Sequence, residues 1–370
     1  MPLAHRLACV FSCQQLRRCR RLQVFALPEC CLLLQADFAY MPSPDIINAE
    51  AVALHAGVSR SAVSRTFTPG ASVSPRMRER VMKSAEALGY QVNLIARTMN
   101  KGSSNFVGII TAGFENPFLA SLLGPLTHHL SLQGLMPLLM NANDPEQLER
   151  SMQELLSYQV AGVILTSAAA SSEQVERYLN RQVPLTMINC DAHLQGANLV
   201  VSDHVEGGRL AARELLRSGA TRLAFVGQSE GNYSSRQRLQ GFRQVVAEAG
   251  LATLAEHYEA VGGYAAGVDA ALALFAQPTR PDGIFCATDL LALGVMDALR
   301  FKLGLQVARD VAVVGFDDIP QAGHDAYALT TVRQDPEALA RQAVAATLDA
   351  AVEQPFVVPV QLIKRRSTLE

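Results

Sequence analysis

Arg60, Ser61, Ser64 and Arg65 bring two guanidinium forks and two hydroxyls onto neighbouring turns of one short segment. Such a donor-rich set suits guanine edges and phosphate oxygens lining a major groove. To present it, the flanking residues must form two crossed helices. Ala49, Val52, Ala53 and Ala56 share one helical face, Gly57 supplies a turn residue tolerant of positive φ, and Ser59 caps a second helix whose Val63 closes onto the first. Residues 49–65 thus read as a helix-turn-helix. An ordinary helical hairpin shows the same alternation, so the segment alone leaves that reading open.

The next residues narrow it. A connecting stretch, 68–75, leads into 76–88, where Met77, Val81, Ala85 and Leu88 recur at helical spacing and predict a third helix closing a small core. Residues 89–102 follow as a short helix-compatible piece ending in Gly102. The order Ala56-Gly57-Val58-Ser59, Val63-Ser64-Arg65, Gly89-Tyr90, Asn93 and Ala96-Arg97 resembles the lactose/galactose-repressor family of bacterial transcription regulators, and the resemblance runs from about Ile46 to the end of the chain. It implies that Arg60, Ser61 and Arg65 read bases. Ser59, Ser64, Tyr90 and Asn93 fall among backbone contacts, and Met99 falls where the family inserts a leucine wedge into the minor groove from a hinge helix. Val92 departs from the proline usual before the hinge Asn, Met99 from leucine, and Ala51 from a common acidic residue. Methionine is apolar and adaptable enough to act as a wedge, with less shape definition than leucine.

The formal net charge is −2 over 370 residues, so any affinity for nucleic acid must come from a local patch. Between Met41 and Gly102, Arg60, Arg65, Arg76, Arg78, Arg80, Lys83, Arg97 and Lys101 outnumber Asp45, Glu50, Glu79 and Glu86. That excess sits on the motif, although a solvated helix face gives a similar one.

A hydrophobic content of 49% excludes a disordered chain, and the remainder is long enough for two cored lobes. Apolar runs at 107–111, 135–140, 162–166, 185–188, 199–201, 223–226, 283–287 and 311–314 alternate with helical patterns such as 205–216 and 289–301. Uniformly apolar strands between amphipathic helices indicate parallel sheets covered on both faces. Many enzymes would fit that alternation. The family resemblance selects a two-lobed, type I periplasmic-binding-protein-like α/β domain behind an all-α DNA-binding domain, with three crossings between lobes. Its marks include Asp203-His204-Val205-Glu206-Gly207-Gly208, Arg238-Leu239-Gln240-Gly241-Phe242 and Val313-Val314-Gly315-Phe316-Asp317-Asp318. The first lobe is expected at 105–202 plus 334 to the end, and the second between them.

In open parallel sheets ligands bind outside the carboxyl ends of the strands. The resemblance puts Arg238 and Asp317 in the cleft, where a planar donor fork and a two-oxygen acceptor hold a hydroxylated or carboxylated metabolite. Phe118 and Tyr264 are expected as walls, with Asn189, Thr288 and Gln334 as neutral polar groups. A lobe-stabilising ion pair for Arg238 and a core position for Phe118 are the plainer alternatives.

Five of the seven cysteines, Cys9, Cys13, Cys19, Cys30 and Cys31, lie in the first forty residues, with Arg17-Arg18 and Arg20-Arg21 ahead of an apolar stretch. Pro28, Glu29, Gln35 and Asp37 interrupt that stretch, unlike an export signal. The reading favours Met41 as the natural start and residues 1–40 as a disordered or mis-assigned extension. Residues 41–90 then form the DNA-binding domain, 91–104 a hinge helix and linker, and 105–370 the effector-binding and dimerisation domain. Cys190 and Cys286 read as reduced core thiols. His128 and His129 are adjacent on a helix, so their side chains should diverge. With no phosphate-cradling loop and no nucleophile elbow, the expectation is a non-enzyme without cofactor or metal. It is expected to work in the cytoplasm as a homodimer on pseudo-palindromic operator DNA, under control of a sugar-like effector and away from membranes. No heptad extension follows Ser367, so no coiled-coil tetramer is expected. The competing reading is an exported or sensory sugar-binding protein without DNA binding.

Overall fold

The computed structural model describes residues 47–68, 70–91, 104–166, 170–191, 196–229, 231–251, 255–259, 262–349 and 355–368. The readings of residues 1–40, of Asn93 and of Met99 lie outside the described residues. The chain divides into two compact units, Met1–Asn93 and Leu94–Glu370.

The first unit holds helices α1 (Ala49–Ala56), α2 (Arg60–Thr66) and α3 (Pro75–Leu88). Each starts on a side-chain cap, Asn48, Ser59 and Ser74, that accepts backbone N–H groups of its first turn. Pro75 is the first residue of α3, one earlier than the periodicity predicts, where its missing N–H costs nothing. Val52, Ala53, Ala56, Val63, Val81 and Ala85 form the buried core. Met77, Leu88, Ala49 and Tyr90 pack half-buried around it. Gly57 stands at φ 59°, which lets the chain leave α1 in a left-handed turn and start α2 three residues later.

In the second unit one six-stranded sheet runs, in spatial order, β11 (Phe356–Val358), β5 (Asn198–Ser202), β4 (Leu185–Ile188), β3 (Gly162–Thr166), β1 (Phe106–Thr111) and β2 (Met136–Asn141). The other runs β12 (Gln361–Ile363), β10 (Thr330–Arg333), β9 (Ala312–Asp317), β8 (Gly283–Cys286), β6 (Leu223–Gln228) and β7 (Ala255–Glu259). Every pairing is parallel except β10 with β12. Helices α4 (Pro117–Leu132), α5 (Pro145–Ser157), α6 (Ser172–Asn180) and α11 (Pro336–Leu348) belong to the first lobe. Helices α7 (His204–Arg217), α8 (Tyr233–Glu248), α9 (Tyr264–Phe275) and α10 (Asp289–Asp297) belong to the second.

The three crossings follow β5, β10 and β11. The assignment of 334 to the end to the first lobe is therefore corrected: residues 361–368 belong to the second. Gln361, Leu362 and Ile363 pair with Arg333, Val332 and Thr331, and the Ser367 hydroxyl donates to Val313 O at 2.6 Å while accepting from Thr330 N at 2.8 Å. Lys364 Nζ lies 3.1 Å from Glu214 of α7. These anchors outweigh the few apolar residues of the tail. β7 escaped the sequence reading because Ala-Glu-His-Tyr-Glu is an edge strand with every residue half-buried, which leaves no apolar run. The helix expected over 289–301 ends at Asp297 and widens into a π-helical turn, Ala298–Lys302.

Helices α7 and α8 cross with glycine at the contact. A Cβ on Gly208 would overlap the carbonyl oxygen of Arg238, and one on Gly241 that of Val205, so the glycines in the two sequence marks permit one close crossing. We expect Gly208→Ala or Gly241→Ala to push the helices apart and destabilise the chain by about 1–3 kcal/mol in urea unfolding, as overpacking does. A wild-type midpoint in both variants would show that the crossing yields freely.

Candidate effector cleft and DNA-reading helix

Helix α2 is short, and its geometry is set from both ends. Ser59 Oγ accepts the Ala62 N–H at 3.2 Å and sits 2.9 Å from Ser61 Oγ, while Ala62, Val63 and Thr66 turn inward. Ser59, Arg60, Ser61, Ser64 and Arg65 are all exposed. Arg65 Nε donates to Ser61 O at 3.3 Å, folding this arginine along its own helix. Tyr90 is half-buried, its ring 5.6 Å from that of Phe67, so part of this side chain serves the core. Two residues that sequence counting treated only as positive charge brace the motif. Arg78 Nη1 donates to Thr66 O at 2.8 Å and Arg80 Nη2 to Gly57 O at 3.1 Å, satisfying carbonyls at the ends of α2 and α1.

In the second unit a cavity of about 380 Å³ opens at the carboxyl ends of strands from both lobes. Phe118, Asn189, Arg238, Thr288, Asp317 and Gln334 all line it. Tyr264 does not: it begins α9 on another part of the second lobe, is 44% exposed, and its hydroxyl donates to Asp297 Oδ2 at 2.8 Å.

Arg238 leaves α8 just at the glycine crossing and is buried there. Its guanidinium carbon lies 3.6 Å from the centroid of the Phe316 ring, Nη1 donates to Ala287 O, and Nη2 stands 3.8 Å from Asp317 Oδ1. Nε donates to His204 Nδ1 at 3.4 Å, which fixes His204 as the tautomer with its proton on Nε2, facing Ser234 Oγ at 3.1 Å. Burial, and next the Arg238 charge, hold His204 well below the ordinary histidine range, so this tautomer persists at neutral pH. Burial also lowers the guanidinium of Arg238, to about 10, leaving it charged near neutrality.

Asp317 is buried at φ 123° and Asn189 stands at φ 56°, both outside the regions comfortable for a residue with a Cβ. Strained backbone of this kind persists only where surrounding contacts hold it, and it concentrates at ligand sites. Here the contacts run through Gln334, in the second crossing. Gln334 Nε2 donates to Asp317 Oδ1 at 2.6 Å, and its Oε1 accepts from Asn189 Nδ2 at 3.0 Å and Ser202 Oγ at 2.6 Å. Asn189 Oδ1 in turn accepts the Ser202 N–H at 2.8 Å. The network therefore ties the β4 and β5 ends of the first lobe to the acid of the second.

Residues the sequence reading missed also line the cavity, among them Asn116, Thr166, Asp191, Gln228, Asn232 and Arg236. Thr166 and Gln228 end β3 and β6, so the rule that ligands sit at strand carboxyl ends would have found them. Cys190, a buried cysteine in no disulfide whose thiol donates to Ile188 O at 3.3 Å, also lines the cavity. The His128 and His129 rings do not diverge; they meet edge to face at 5.6 Å, and His129 Nε2 lies 2.6 Å from Glu337. No group of three or more His, Cys, Asp or Glu poised for a metal occurs among the described residues.

Beneath the cavity Asp289 is buried, accepting the Thr331 hydroxyl at 2.5 Å and the Ile319 N–H at 2.9 Å. Burial, and next the Asp317 charge, push Asp289 well above the ordinary aspartate value of 3.8. Burial raises Asp317 as well, opposed by Arg238. Because the folded state then binds protons more tightly than the unfolded chain, this pair favours the fold at low pH and does so less as pH rises past the ordinary aspartate range. Asp289→Asn should flatten that fall in urea stability between pH 5 and 8. An unchanged slope would place the pH dependence elsewhere.

Fold and site together define a two-lobed periplasmic-binding-type domain attached to a helix-turn-helix. Residues 50–93 match the bacterial regulatory proteins of the lacI family, and 212–368 match the periplasmic binding protein-like domain. The ribose operon repressor of Escherichia coli (strain K12) is 30% identical over 299 residues, 79% of this chain and 89% of that protein. The HTH-type transcriptional repressor PurR of Haemophilus influenzae (strain PittEE) is 28% identical over 300 residues, 79% and 88%. Among solved structures, the Lac repressor dimer bound to operator and the anti-inducer ONPF has a TM-score of 0.79 at 24% identity, covering 88% of this chain and 99% of that one. The transcriptional regulator CelR–cellobiose complex has a TM-score of 0.66 at 28% identity, covering 87% and 99%. The chain belongs to the lacI family of bacterial regulatory proteins and is a ligand-responsive transcriptional regulator. The alternative of a sugar-binding protein without DNA contacts gives α1 to α3 no role. No helix among the described residues is long and apolar enough to cross a membrane.

Proposed function

We propose that the chain is a cytoplasmic repressor, without enzymatic activity, that binds a pseudo-palindromic operator as a homodimer and is controlled by a small neutral polyhydroxylated effector. In this reading Arg60, Ser61 and Arg65 contact bases, and Ser59, Ser64, Tyr90 and Asn93 contact the backbone. Met99 acts as a wedge from the hinge segment 91–104. The cleft residues Phe118, Asn189, Arg238, Thr288, Asp317 and Gln334 hold the effector.

The observation that carries the effector chemistry is charge neutrality within the cavity. Arg238 faces Asp317, and Arg236 Nη2 pairs with Asp191 Oδ2 at 2.9 Å, so each cation already has an anion. The remaining polar lining consists of amides and hydroxyls such as Asn116, Asn189, Asn232 and Ser234. An incoming carboxylate or phosphate finds no unmatched fork, whereas vicinal hydroxyls both donate and accept. Phe118, Leu119 and Leu122 supply an apolar wall for the carbon face of such a ring. The names of the relatives suggest the first compounds to try: D-ribose and cellobiose.

Arg60→Ala and Arg65→Ala should each weaken binding to genomic fragments selected with the wild-type protein by about 1–3 kcal/mol, read by fluorescence anisotropy. Unchanged affinity in both would remove the DNA-reading role of α2. In calorimetric titrations with and without such a fragment, the bound compound should change affinity by the same factor as it changes DNA affinity, typically about 1–3 kcal/mol of coupling. Arg238→Ala or Asp317→Ala should abolish the response while unliganded DNA binding stays near wild type. Equal ligand affinity with and without DNA would leave a DNA-binding protein whose cleft plays no part in control.

A further inference from the structure

Helix α8 carries two arginines two positions apart, and they diverge as i and i+2 residues on a helix must. Arg238 turns into the second lobe toward Asp317, whereas Arg236 reaches across the cleft to Asp191, three residues beyond β4 in the first lobe. We propose that Arg236 and Asp191 form a latch across the mouth of the cleft that holds the two lobes closed over a bound effector, a role resting on the reading of this cavity as the effector site.

Two observations place a closing contact here. Both side chains line the cavity and stand at its rim, with Arg236 48% and Asp191 32% exposed, while Arg238 and Asp317 lie buried below. The same first turn of α8 makes a second crossing contact, the Ser234 hydroxyl donating to Asn189 O at 3.3 Å, so two adjacent bonds join one helix end to one loop. Closure thus brings a carboxylate to a cation across the cleft, and opening returns both to water. A rim pair of this exposure is screened by salt, so its contribution falls as ionic strength rises.

The test uses the full chain with Asp191→Arg, Arg236→Asp and the double exchange. Hydrogen exchange of the segments 185–191 and 228–238 reads the latch without any ligand, and calorimetric titration with D-ribose reads its effect on the site. Each single exchange should speed protection loss in both segments and weaken D-ribose binding threefold or more, and the double exchange should restore both. The wild-type affinity for D-ribose should fall toward that of the single variants in high salt. Wild-type exchange rates in the single variants, or a double exchange no better than either single one, would overturn the latch. Weakening by Arg236→Asp alone, without rescue, would make Arg236 a direct effector contact and also overturn it. Failure of D-ribose to bind the wild-type chain would count against the proposed effector chemistry, while hydrogen exchange still decides the latch.

Discussion

A guanidinium removed from water governs much of the second unit. Stripping Arg238 of its solvent is tolerable only if its donors and its charge find partners in the interior. The carbonyl of Ala287, the Nδ1 lone pair of His204, and the face of Phe316 with the carboxylate of Asp317 supply them from three separate segments. Each partner imposes a further requirement. Asp317 must leave β9 with a strained backbone, His204 must stay neutral at the start of α7, and α7 must approach α8 closely enough to demand glycine at both contact points. The clustered sequence marks around 203–208, 238–242 and 313–318 are the local consequences of housing one cation.

Gln334 extends that constraint to the other lobe. It stands in a crossing segment, donates to Asp317 and accepts from Asn189 and Ser202, so moving one lobe against the other disturbs the bonds that hold the clamp. A ligand shifts such an equilibrium only by its difference in affinity for the two arrangements. Residues shared between hinge and cavity supply that difference directly, because an effector engaging Asp317 or Asn189 must adjust to bonds that already span the lobes.

The helix-turn-helix and most strands were legible because their periodicities are strong: small residues at the α1–α2 crossing, and uniformly apolar runs for buried parallel strands. What stayed hidden depended on tertiary context. β7 is half-buried along its whole length, and the tail after Gln361 is held by Ser367 and Lys364 rather than by an apolar pattern. Arg78 and Arg80 looked like surface charge because the carbonyls they cap, on Thr66 and Gly57, are 12 and 23 residues away in the chain. Tyr264 was expected as a wall of the cleft, yet nothing local to it fixes the direction in which α9 presents its first residue. Asp191 and Arg236 carried no local signal, since their meaning arises only when two lobes face each other.

The first unit obeys the opposite logic, with few buried groups and many terminal satisfactions. Among the described residues its core cluster has six buried members, and a helix as short as α2 has little stability of its own. The recognition surface is therefore held by Ser59 at one end, by Arg78 on the Thr66 carbonyl at the other, and by Val63 against α1 between them. A helix so fully fixed by its own unit is not readily reshaped from outside that unit. In the proposed regulator, control then acts on where two such helices are placed, and the effector needs only to alter the lobe arrangement that Gln334 and Arg238 hold in common.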